Sequence, residues 1–86
     1  MLKSQKVSEY ELPIEINPQK EGGFVVTSPA WEDCYAQGDT IDEAVLEITA
    51  VAQSLIELYK EEGKSIPLKL PKEVADPTTV PIIVAA

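Results

Sequence analysis

The chain has no histidine and no arginine among its 86 residues, and it holds one cysteine, one tryptophan and one phenylalanine. Without histidine there is no side chain whose ordinary titration lies near neutral pH. Cys34 and the serines therefore lack the imidazole partner that usually activates such nucleophiles. A lone cysteine forms no internal disulfide, and with neither histidine nor a second cysteine it supports no zinc site. No Gly-x-Ser-x-Gly elbow and no phosphate-cradling glycine loop occurs. Gly22-Gly23 reads instead as a hairpin turn. No apolar run approaches the roughly 20 residues that a spanning helix needs. The opening MLKSQKVSEYEL carries lysines without the apolar stretch of a secretion signal. These absences point to a cytoplasmic, non-enzymatic protein with no cofactor, no metal and no membrane contact.

What is abundant is negative charge. Fifteen acids face seven lysines, a net charge of −8. Residues 32–62 hold nine of the acids (Glu32, Asp33, Asp39, Asp42, Glu43, Glu47, Glu57, Glu61, Glu62) against Lys60 alone, and the rest of the chain is neutral. Such a block repels DNA and RNA and attracts a basic protein, so direct nucleic-acid binding is not expected.

The hydrophobic pattern gives an α+β order. Tyr10, Leu12, Ile14 and Ile16 alternate with polar residues, the mark of a strand with one face on a core. Pro13 inside it predicts an edge position or a local irregularity. NPQKEGG (17–23) is a turn, and FVVTS (24–28) returns as a second strand that Pro29 ends. A short third strand is expected around Cys34–Gln37. From Ile41 to Glu62 apolar residues recur at helical spacing (Ile41, Ala44, Val45, Ile48, Val51, Ala52, Leu55, Tyr59), giving a helix about 33 Å long. Thr40 is its N-cap, Glu43 closes a capping box by reaching back to the Thr40 N–H, and Gly63 is its stop. Residues 64–79 read as an extended connection. VPIIVAA (80–86) places Val80, Ile82 and Val84 on one face, either as a last edge strand or as an apolar tail docking on another subunit. The whole is β-β-β-α-β: a three-stranded antiparallel sheet packed on one long helix, with a C-terminal edge strand.

The acids near the helix start invite a metal reading. Asp42 and Glu43, however, sit about 100° apart on the helix and do not converge, so a solvated face with dipole-favoured carboxylates is the simpler reading. Leu46 lies roughly 140° from Ile41, off the core stripe. Trp31 reads either as a lid on a small core or as an aromatic anchor ringed by Glu32 and Asp33, and Tyr35 divides the same way.

Taken in order, the opening Tyr10, then Gly23-Phe24, Pro29, Cys34, Gly38-Asp39-Thr40, Glu43-Ala44, Gly63 and Ile66-Pro67 resemble the HicB-type antitoxin pattern. The match covers residues 10–67 and departs from the pattern at Asp33, where that family usually has glycine. The resemblance implies a partial ribonuclease-H-like or dsRBD-like topology. It also implies a toxin–antitoxin role: neutralising a small, basic, HicA-like toxin that cleaves messenger RNA with a histidine. Many such proteins append a DNA-binding domain; this sequence reads as the short, single-domain form. Residues 1–9 are then a flexible lead, 10–67 the HicB-like domain, and 68–86 its connection and last strand. The expected partner surface is Trp31, Glu32, Asp33, Tyr35, Glu43, Leu46 and Glu47. An oligomer (a dimer or larger) is expected through Val80, Ile82 and Val84. Two other readings are a homo-oligomeric scaffold without a toxin, and a carboxylate–metal nuclease.

Overall fold

A computed structural model of the chain describes residues 9–68 and 80–85. Four strands and one helix follow in the order β1 (Glu9–Pro18), β2 (Phe24–Thr27), β3 (Tyr35–Gly38), α1 (Ile41–Glu62) and β4 (Val80–Ala85). The strands form one antiparallel sheet in the order β3-β2-β1-β4. This is the expected α+β arrangement. Residues 1–8 of the expected lead and 69–79 of the expected connection lie outside the described residues.

β1 is not an edge. It is central and serves two partners in turn: Glu9–Ile14 pair with β4, and Glu15–Pro18 pair with β2. Pro13 lies directly across from Pro81. Two prolines have no N–H to exchange, so theirs is a non-hydrogen-bonded position of the ladder, where backbone groups point away from the partner strand. On that side of Pro13, β2 has already ended, because its pairing with β1 begins at Glu15↔Thr27. The missing N–H therefore breaks no bond of the sheet.

The alternation of β1 works as its sequence implies. Leu12 and Ile14 are buried and Tyr10 and Ile16 partly so, joined from the other strands by Phe24, Val26, Ala36, Ile82 and Val84. The helix covers this face with Ala44, Ile48, Ala52 and Ile56, all fully buried, flanked by Val45, Val51, Leu55 and Tyr59. Ile56 joins them although it stands outside the expected stripe. Ile41 belongs to the expected stripe, yet is 45% exposed. The opposite face of the sheet carries no described layer.

The helix ends follow their caps. Thr40 Oγ1 accepts a bond from the Glu43 N–H at 3.1 Å. At the other end Gly63 adopts a left-handed φ of 71°, with Gly63 N–H donating to Lys60 O (3.3 Å) and Lys64 N–H to Tyr59 O (2.8 Å). That pair of bonds is the Schellman arrangement, which needs a residue without a Cβ penalty at the turn.

Candidate functional site

Five of the residues that carry the family resemblance, Gly23, Phe24, Gly38, Glu43 and Ala44, meet at one corner, where β3 runs into the helix. Gly38 is pressed against the first turn: a Cβ there would lie 2.5 Å from Ala44 N and 2.9 Å from Glu43 Cβ. Opposite it in the sheet stands Phe24. Gly23, just before Phe24, has φ +82°, and a Cβ on it would be 3.1 Å from the Gly38 carbonyl. The small residues Gly23, Gly38 and Ala44 thus allow hairpin, strand and helix to close on one another.

A correction concerns the cap. Glu43 Oε1 accepts from the Asp39 N–H at 3.2 Å, one residue earlier than the expected Thr40 N–H. The carboxylate still satisfies a backbone donor ahead of the helix, and it stays exposed while doing so.

This corner is also an open groove of about 450 Å³. Gln19, Gly22 and Gly23 of the hairpin line it together with Gln37 and Gly38 of β3 and with Asp39, Glu43 and Glu47. All three carboxylates are exposed. Glu43 and Glu47 are four residues apart and so share a side of the helix. Leu46, 70% exposed, lies between Asp42, Glu43 and Glu47 on the outward face of the same two turns. Among the described residues no group of three or more cysteine or acidic side chains converges closely enough to hold a metal ion.

The other expected partner residues are placed elsewhere. Trp31 is 3% exposed and belongs to the core, so the anchor reading is corrected: it is a lid. Two successive turns, Trp31 N–H to Ser28 O (3.3 Å) and Cys34 N–H to Trp31 O (2.9 Å), direct both Trp31 and Cys34 inward. The indole meets the Tyr59 ring edge-on at 5.0 Å and donates from Nε1 to its hydroxyl at 3.2 Å. Glu32 and Asp33 remain outside on that loop. Trp31 touches Tyr59 near the C-terminal end of the helix, and Tyr59 lies some four turns, about 24 Å, along the helix from Glu43. Tyr35 pairs with Thr27 on the uncovered sheet face, away from the helix, and is 63% exposed. The seven residues therefore occupy three regions, and only Glu43, Leu46 and Glu47 stand together.

The expected oligomer residues lie on an edge strand that pairs with β1 of its own chain. Val84 is fully buried and Ile82 packs against the core; they hold β4 onto its own chain. Val80 pairs with Ile14 in the same ladder. Ile83, 50% exposed, is the large β4 side chain on the uncovered face, which it shares with Pro81 and Ala85.

Cys34 is fully buried. Burial pushes its thiol from 9.0 up to about 11, the reverse of what a nucleophile requires. Lys64 titrates above its ordinary value through its hydrogen bond to Glu62, 3.1 Å away. No helix among the described residues is long and apolar enough to cross a membrane.

Neither a family profile nor a solved structure matches the chain. Individual proteins do. It is 38% identical over 63 residues to UPF0150 protein ssl0259 of Synechocystis sp., covering 73% of this chain and 85% of that one. It is 32% identical over 59 residues to UPF0150 protein Ta0767 of Thermoplasma acidophilum, covering 69% and 86%. With Antitoxin HicB 1 of Photorhabdus laumondii it shares 31% identity over 80 residues, 93% of this chain but 51% of the antitoxin. None of the three names is that of an enzyme. On this identity and coverage, and with the strand and helix order described above, the chain belongs to the UPF0150 family of HicB-like proteins.

Proposed function

We propose that the chain is an antitoxin-like binding protein of the cytoplasm, not a catalyst, and that it captures a small, basic, mRNA-cleaving toxin. Its docking surface is the outward face of the first two helical turns, where Leu46 is set among Asp42, Glu43 and Glu47, together with the groove that Asp39, Glu43 and Glu47 border. The observation that carries this reading is the exposure of these carboxylates on a chain of net charge −8. Of the described lysines, Lys60 and Lys64 belong to the far end of the helix, and only Lys20 of the hairpin turn comes from an element lining the groove. A cationic RNA-binding surface meets complementary potential there and loses access to RNA once covered. Leu46 supplies the apolar contact that a charged rim surrounds in many interfaces.

The test is co-expression with the basic protein encoded by the adjacent reading frame. The chain should relieve that protein's growth arrest and co-purify with it. The double variant Leu46→Asp with Glu47→Lys should lose both properties while keeping its helical circular dichroism. Unchanged rescue by that variant would rule out this face.

A further inference from the structure

Beyond the toxin-binding reading, we propose that the outer edge of β4 pairs antiparallel with the same edge of a second copy, with Ile83 on the two-fold axis. The backbone of the strand dictates this register. Because Pro13 and Pro81 occupy a non-hydrogen-bonded position, the β4 residues that bond β1 are Val80, Ile82 and Val84. The backbone groups of Pro81, Ile83 and Ala85 therefore point outward, away from β1, and among the described residues no strand lies on that side.

Those outward groups form an incomplete set. Ile83 offers an N–H and a C=O, Ala85 offers both, and Pro81 offers only a C=O. One of them is already engaged: Gln53 Nε2, from the helix, donates to the Ala85 carbonyl at 3.2 Å. A two-fold pairing centred on Ile83 uses what remains. Each Ile83 N–H donates to the partner's Ile83 carbonyl. Each Ala85 N–H donates to the carbonyl of the partner's Pro81. The Ala85 carbonyl would then look for an N–H on the partner's Pro81, which has none, and that is the carbonyl Gln53 caps. Every outward donor and acceptor of the edge is satisfied, four bonds crossing between copies.

The side chains agree. Val80–Ala85 carries no charged residue, whereas natural edge strands commonly use lysine or an inward charge to prevent such pairing. A hydrogen-bonded pair brings the two Ile83 side chains together at the axis, on the sheet face where each is 50% exposed in the single chain. The isologous contact closes as a dimer and joins two four-stranded sheets into one of eight.

The experiment is sedimentation equilibrium on the full chain, with hydrogen exchange of the Ile83 amide. Wild type should sediment as a dimer and slow Ile83 exchange in step with the dimer fraction, since that N–H has no described acceptor within its own chain. Ile83→Lys and Ile83→Glu should each raise the dimer dissociation constant at least tenfold, and mixing the two should restore a heterodimer. Ile83→Pro should behave like them, because it removes only an outward N–H. Tyr35→Lys, at the opposite edge, should leave the dimer intact. A monomeric wild type, a dimer that survives the charged Ile83 variants, or one lost in Tyr35→Lys would each overturn the proposal.

Discussion

A Cβ placed on Gly38 would stand 2.5 Å from the backbone nitrogen of Ala44. The atom it meets is main chain at the start of a helix, which cannot swing aside as a side-chain tip would. Gly38→Ala must therefore lift the helix from β3, and overpacking of this kind costs about 1–3 kcal/mol. Urea unfolding should show a lower midpoint with an unchanged slope. Gly22→Ala is the useful comparison: its Cβ meets nothing within 4 Å, and its penalty comes only from φ +105°.

Trp31 and Tyr59 join the β2–β3 loop to the end of the helix by an edge-on ring contact and one hydrogen bond. Trp31→Phe keeps most of the apolar volume and loses the bond, so about 1 kcal/mol is expected. Trp31→Ala opens a cavity and should cost about 3–5 kcal/mol. Trp31 is the single tryptophan, so its fluorescence should be blue-shifted in the native protein and move red on unfolding. That signal checks the burial directly.

The Thr40 hydroxyl accepts from the Glu43 N–H. Thr40→Ala should cost about 1 kcal/mol in thermal or urea unfolding. Thr40→Asp should recover most of it, because a carboxylate caps equally well and suits the positive end of the helix dipole.

Cys34 links stability to alkaline pH. Its folded value of about 11 lies above the ordinary 9.0. Below pH 9 the thiol is protonated in both states, and its full contribution is present. Between pH 9 and 11 the unfolded chain releases the proton while the folded chain holds it, so stability falls as pH rises through that window. Cys34→Ala should be less stable at pH 7 yet flatter between pH 9 and 11. At pH 8 the native thiol should resist iodoacetamide and react only when the chain unfolds.

Much of this was readable in advance because local rules agreed with one another. The period-2 run of β1, the Thr40 cap, the helical stripe and the Gly63 stop each sit where side-chain pattern alone places them. Of the two readings of Pro13, the edge position fails and the local irregularity is a change of partner strand just after it; where β2 ends is a tertiary fact. Trp31 was ambiguous because two consecutive turns, not a periodic pattern, decide which way it points. The spread of the acids was hidden for a similar reason. Glu32 and Glu43 are eleven residues apart in sequence, yet the chain between them runs from beside the Trp31–Tyr59 contact to Gly38 at the first helical turn. Of the site, Leu46 and its acidic neighbours were legible, since helical geometry fixes them once the helix is placed.

The most direct measurement of the central claim is the association rate of the purified chain with its basic partner as ionic strength is raised. Asp39→Asn and Glu47→Gln change charge without touching the cap or the core. The wild-type rate should fall steeply with salt, and the double variant should associate more slowly with a shallower dependence. Equal rates and equal salt slopes for the two proteins would contradict the claim.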